Sequence, residues 1–194
     1  MVKNWPPKKE LPRELCSGTL DRPKQPAVFF DRDGVLNVDR GYTHRPEDLV
    51  MIPGAAAAVR MLNEANYYVI VVTNQSGVAR GYFSESAVKQ FHIHMQDVLK
   101  KENAHIDAFY YCPHHEDGSV KELAVRCNCR KPAPGMLQQA MREWPIDLNG
   151  SFLIGDKDHD LAAAAACHVR GIKFDAKIAS LVDLVRKQLA LHTP

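Results

Sequence analysis

The sequence predicts an α/β fold in which a central parallel sheet is covered by helices on both faces. Short β-branched or aromatic runs alternate with longer segments of helical spacing, and strands separated by helices pair in parallel. Three strand candidates also end in a polar residue, Asp31, Thr73 and Asp156. In such sheets the ligand crevice lies beyond the carboxyl ends of the strands, so these three residues are expected at one rim.

The strand candidates are AVFFD at 27–31, YVIVVT at 68–73, DAFYY at 107–111, SFLIGD at 151–156 and GIKF at 171–174. Helical segments lie between them at 53–65, 84–102, 134–144 and 158–168, and IASLVDLVRKQLAL closes the chain. Ser84 is the expected N-cap of the second helix, and Pro53 and Pro134 suit first-turn positions. Residues 1–25 show no sustained periodicity and read as an irregular N-terminal extension, leaving 26–194 as a single domain. A chain of 194 residues is long enough to bury one large core.

Composition narrows the function class. With 25 Lys plus Arg against 23 Asp plus Glu, the formal net charge is +2, so no strong field favours nucleic acid or an anionic membrane. The longest apolar runs, YYVIVV and AAAAAC, are far short of the roughly 18 residues that span a bilayer. The N-terminal segment is basic without the apolar core of a secretory signal, and a cytoplasmic protein is expected. Five cysteines, three of them close to His114, fit a reducing compartment and a metal site better than a disulfide framework.

The first strand ends in DRDG. Two carboxylates about 4 Å apart repel by roughly 4 kcal/mol at an effective dielectric near 20, so Asp31 and Asp33 call for a cation. Mg²⁺ suits them, because it binds through one or two carboxylates plus substrate phosphate, and Asp156 can complete its protein ligands. Given a phosphate ester here, Asp31 can attack phosphorus as a carboxylate nucleophile. Asp33 can then protonate the leaving oxygen and later activate water. Thr73 and Lys131 supply a hydroxyl and a fixed positive charge for the phosphoryl oxygens, and Gly34 lets the chain turn so that both acids face the crevice. The bland alternative reads DRDG as a turn, Thr73 and Asn74 as strand-end caps, Lys131 as surface charge, and the acids of GDKDHD as a helix N-terminus favoured by the macrodipole. Each bland reading stands alone, but DxDG, TNQSG, RKP and GDKxxD occurring in one order favour the chemical one.

CPHHEDGSVKELAVRCNC offers Cys112 and His114, then Cys127 and Cys129, as two close ligand pairs suited to tetrahedral Zn²⁺. His115 competes with His114. Four protein ligands leave no open position for water, so this zinc is expected to be structural, tying down the loop that carries Arg130 and Lys131. His92 and His94 read as ordinary residues of a helix, and Cys16 and Cys167 lack metal-site spacing.

On FFDRDGVLN, TNQSGVARGYFSE, CPHH, CNCRKPAPGM and GDKDHD, the chain from about 27 to 175 resembles the haloacid dehalogenase superfamily of phosphohydrolases. The resemblance matches that superfamily's four motifs to Asp31 with Asp33, Thr73, Lys131, and Asp156. It implies a three-layer Rossmann-like sheet with short loops and no large cap domain, Mg²⁺, a monomer, a small sugar phosphate as substrate, and His114 rather than His115 on zinc. It also implies a substrate site lined by Asp39, Arg40, Gly41, Tyr42, Thr73, Asn74, Gln75, Ser76, Arg130, Lys131 and Lys157. Histidinol-phosphate phosphatases are the nearest rival reading. A phospho-accepting receiver and a zinc-dependent interaction module are rivals from other classes, and a nucleic-acid end phosphatase is disfavoured by the absence of a basic, aromatic stripe.

Overall fold

The computed structural model describes residues 24–191; the predicted extension at 1–23 and the last residues, 192–194, lie outside the described residues. Five parallel strands form one sheet: β1 (Gln25–Phe30), β2 (Tyr68–Asn74), β3 (Ala108–Cys112), β4 (Ile146–Gly155) and β5 (Arg170–Lys173), in the order β3-β2-β1-β4-β5. Among the described residues the α-helices are α1 (Ala55–Glu64), α2 (Glu85–Lys101), α3 (Gly135–Glu143), α4 (Asp158–Ala165) and α5 (Leu181–Ala190), with a short 3-10 helix at Pro46–Asp48.

Side-chain alternation along the strands divides the core in two. Val28, Phe30, Val69, Val71, Phe152 and Ile154 point to the face covered by α1, α2 and α5. Their neighbours Ala27, Phe29, Ile70, Val72 and Leu153 point to the face covered by α3 and α4. A strand buried on both faces reads as a continuous apolar run, which is why AVFF and YVIVV were legible as strands. This is the expected three-layer fold, and no helix among the described residues is long and apolar enough to cross a membrane.

Two local expectations shift. Pro134 is the N-cap of α3, and Pro53 precedes the N-cap Gly54 of α1, each ahead of the first helical turn. A proline has no N–H to contribute to a helix, so it is tolerated just outside the first turn as well as within it. β4 starts five residues earlier than SFLIGD, because Gln25 and Pro26 pair with Ile146 and Asp147 before the register shifts. Ser151 Oγ fills that irregularity, accepting from Ala27 N at 2.8 Å. Ser84 does cap α2, its Oγ accepting from Ala87 N.

β1 is central, with β2 on one side and β4 on the other. The carboxyl ends of these three strands therefore meet at one rim, under the long connections 31–54 and 113–134.

Candidate active site and cysteine cluster

Asp31 follows the last residue of β1, and its N–H donates to Ile154 O at 3.0 Å, pinning it between β1 and β4. Its Oδ1 accepts from Arg32 N at 2.8 Å and lies 2.9 Å from Lys131 Nζ. Lys131 is fully buried; its ammonium donates to Val72 O at 2.7 Å and lies 2.6 Å from Asp160 Oδ1. Burial draws that ammonium's pKa down, but the two carboxylates outweigh it and leave it above the ordinary lysine value. Burial likewise pushes the Asp31 carboxyl up to about 7, against the pull of Lys131. An ammonium held between two acids in a dry setting is a fixed charge, not a surface one.

Asp33 lines the same crevice, but its carboxylate is otherwise engaged. Arg32 donates to both of its oxygens, Asn37 Nδ2 donates to Oδ1 at 2.9 Å, and Gln75 Nε2 donates to Oδ2 at 3.0 Å. Gln75 also donates to Thr73 Oγ1 at 2.9 Å, so Thr73, Gln75 and Asp33 form one chain of hydrogen bonds.

The side chains of Asp31, Asp156 and Asp160 bring one oxygen each within 4.8 Å of one another. Asp160 is committed to Lys131, and its other oxygen accepts from Lys157 N at the start of α4. Asp156 Oδ1 is buried with no hydrogen-bond partner among the described residues, while Oδ2 takes Lys157 Nζ at 2.5 Å. A buried, unpartnered carboxylate oxygen beside Asp31 fits a hard cation such as Mg²⁺. Gly34 makes the approach possible: its φ is +84°, and a Cβ there would stand 2.6 Å from Asp156 Oδ2.

The crevice of about 280 Å³ is lined by Asp31, Asp33, Asp39, Gly41, Tyr42, Thr73–Ser76, Arg130, Asp156, Lys157 and His159. Arg40 is exposed and is not among these lining residues. Lys131 lies beneath them, against Asp31. Asn74 lines the wall, yet its amide is spent on the Lys131 main chain, donating to O at 3.1 Å and accepting from N at 3.0 Å. Arg130 also borders a second hollow of about 360 Å³, and its Nη1 is buried without a hydrogen-bond partner among the described residues.

Cys112, His114, Cys127 and Cys129 converge, with sulfur–sulfur separations of 3.2, 3.3 and 3.5 Å and His114 Nδ1 at 3.3 Å from Cys129 Sγ. His115 is outside the group, its ring against Arg80 and the Asp117 N–H. The hydrogen-bond contact with Cys112 lowers the Cys129 thiol to about 5, while the same contact drives Cys112 far up. Thiols this close cannot all ionise without a cation, so the donor set fits Zn²⁺.

Sequence reasoning gave no role to Asp160, Arg32, Asn37 or His159. Asp160 appeared only as the closing acid of GDKxxD, with a helix-dipole role solely in the bland alternative. Its burial at 0% exposure, forward of an alanine-rich helix face, is what marks it.

Fold and rim together set a group of acids around a buried lysine at the carboxyl ends of the strands. A family model described as polynucleotide kinase 3 phosphatase matches residues 27–183, and the chain belongs to that family, within the haloacid dehalogenase-like phosphatases. It is 44% identical over 174 residues, 90% of this chain and 95% of its relative, to the D-glycero-beta-D-manno-heptose-1,7-bisphosphate 7-phosphatase of Rhodopseudomonas palustris. A solved structure from Mesorhizobium loti described as HAD-like superposes with a TM-score of 0.78 at 34% identity, covering 89% of this chain and 90% of that one. The D,D-heptose 1,7-bisphosphate phosphatase of B. bronchiseptica, complexed with magnesium and phosphate, gives 0.72 at 28% identity, covering 86% and 99%.

Proposed function

We propose that this protein is a Mg²⁺-dependent phosphatase that removes the 7-phosphate of D-glycero-D-manno-heptose 1,7-bisphosphate, the step that leaves a heptose 1-phosphate for nucleotide-activated heptose synthesis. The observation that carries the reaction class is Asp31 held 2.9 Å from the buried Lys131 ammonium, with Asp33 lining the same crevice. The substrate rests on the relatives, whose names specify the β anomer.

An Asp31 oxygen attacks phosphorus, and the bond from phosphorus to the sugar oxygen breaks. Asp33 gives that oxygen its proton. The Asp33 carboxylate then takes a proton from water as the water attacks the aspartyl-phosphate, releasing inorganic phosphate and restoring Asp31. Thr73 holds a phosphoryl oxygen, Lys131 supplies positive charge from beneath Asp31, and Asn74 holds Lys131. Asp31 and Asp156 would hold Mg²⁺ through their carboxylates. The Asp33 carboxylate, expected from the sequence as a further ligand, is taken up instead by Arg32, Asn37 and Gln75. When bound, the ion supplies positive charge for the phosphoryl oxygens.

Asp39, Arg40, Gly41, Tyr42, Gln75, Ser76, Arg130 and Lys157 are proposed to receive the sugar and its second phosphate. The unpartnered Arg130 Nη1 is suited to a phosphate oxygen. Cys112, His114, Cys127 and Cys129 would hold a structural Zn²⁺ that steadies the Arg130–Lys131 arm. We read the protein as a cytoplasmic monomer, with residues 26–194 as its one domain and no nucleic-acid partner.

A phosphate-release panel tests this. It compares both heptose bisphosphate anomers, histidinol phosphate and a 3′-phosphorylated oligonucleotide, with Asp31→Asn as control. The β bisphosphate should turn over fastest, and faster release from either non-sugar substrate would overturn the assignment.

A further inference from the structure

Arg32 stands between the two acids, and it is the largest fully buried side chain among the described residues. Its guanidinium does three things at once. It grips Asp33, with Nε at 3.2 Å from Oδ1 and Nη2 at 2.9 and 2.8 Å from Oδ1 and Oδ2. The same Nη2 donates to Thr43 O at 2.6 Å, the residue directly after the crevice-lining Gly41 and Tyr42. Nη1 lies 3.4 Å from His92 Nε2 on α2, and the guanidinium carbon sits 4.4 Å over the Phe91 ring.

His92 is fully buried and stacked on Phe109 at 4.4 Å. Arginine only donates, so Nε2 must present its lone pair and the ring is neutral. Burial, with the nearby Arg32 charge, lowers the His92 pKa well below its ordinary value, in keeping with that. Burying a guanidinium is costly, and a single ion pair with Asp33 would not require links to both a loop and a helix.

We propose that Arg32 and His92 form a buried positioning pair that sets the Asp33 carboxylate and the 39–43 substrate loop from one guanidinium. This rests on the acid–base reading of Asp33 above. Neither residue touches substrate; both act through Asp33 and Thr43. Proton transfer depends on geometry, so a carboxylate free to rotate loses both the protonation of the leaving oxygen and the activation of water.

The test measures kcat, KM and acid-quenched phosphoenzyme in the full chain with Mg²⁺. It uses the heptose bisphosphate and p-nitrophenyl phosphate, whose leaving group needs no proton. Arg32→Met should lower kcat on the bisphosphate by about 100-fold. It should raise KM for the bisphosphate alone, largely spare the first burst of nitrophenolate, and accumulate phosphoenzyme from p-nitrophenyl phosphate. Arg32→Lys should recover part of each effect. His92→Leu should show the same pattern at smaller amplitude, and His92→Gln, whose amide oxygen can accept from Nη1, should restore it. If Arg32→Met does not fold, the two His92 variants decide the matter. Equal losses on both substrates with no phosphoenzyme would make Arg32 a structural ion pair and overturn the proposal. Asp33→Asn separates the two readings: if it shows the leaving-group pattern and the Arg32 and His92 variants do not, only the pair is refuted. If Asp33→Asn itself lacks the pattern, the acid–base role falls and takes the pair with it.

Discussion

Asn74 clamps Lys131 by two hydrogen bonds, donating to its main-chain oxygen at 3.1 Å and accepting from its main-chain nitrogen at 3.0 Å. The last residue of β2 thus fixes the loop residue whose ammonium stands against Asp31. In Asn74→Ala both bonds are lost, each worth about 1 kcal/mol net. Steady-state kinetics should show kcat reduced at least about tenfold, since a displaced ammonium weakens charge stabilisation most in the transition state. An unchanged kcat would mean that Lys131 holds its place without the clamp.

Asp160 shares the Lys131 ammonium with Asp31, and the Asp160 and Lys131 side chains are fully buried. Removing one partner of a buried pair strands the other. Urea unfolding of Asp160→Asn should show a loss of about 3 kcal/mol or more, accompanied by a fall in activity. A stable, active Asp160→Asn protein would show that Asp31 alone neutralises the lysine.

Elemental analysis should find one zinc per chain, lost in Cys129→Ser. Because Cys129 directly precedes Arg130 and Lys131, that variant should also raise KM for the bisphosphate. Full metal content with three ligands would displace Cys129 from the site.

His92 contributes a pH dependence of stability with a definite sign. Its folded pKa lies below the 6.5 of the unfolded chain, so the unfolded state binds the extra proton in the interval between them. The contribution is complete above pH 6.5 and declines as pH falls, by up to about 1.4 kcal/mol per pH unit. Denaturation of His92→Gln between pH 5 and 7 should show a shallower slope than the parent. Parallel slopes would place the proton elsewhere.

Gly34→Ala should weaken Mg²⁺ activation, measured as a higher ion concentration for half-maximal rate. The added Cβ would meet Asp156 Oδ2 at 2.6 Å on a backbone with φ of +84°. Unaltered Mg²⁺ dependence would count against Asp156 as a ligand.

Much of this was legible in one dimension. The runs of β1, β2, β3 and the end of β4 stood out because both of their faces are buried, and the helices because their apolar spacing is local. Cys112, Cys127 and Cys129 were legible because close pairs of ligands are a spacing signal, whereas spacing left His114 and His115 open and the resemblance chose His114. The early start of β4 was not, since it depends on Gln25 and Pro26 pairing with Ile146 and Asp147, more than a hundred residues away. Asn74 appeared as a substrate residue, and only its distance to Lys131 shows it engaged with the main chain.

The sequence by itself determined the order of strands and helices, the acids after β1 and β4, and the paired metal-type ligands, because propensity, periodicity and spacing act between near neighbours. Tertiary structure alone decided that Lys131 sits between Asp31 and Asp160, that Asp33 is turned toward Arg32, and that His92 reaches that guanidinium across 60 residues. Those arrangements are choices of partner for buried charge. Such choices are settled by which groups share a dry volume, and that volume exists only once the sheet has closed under its helices.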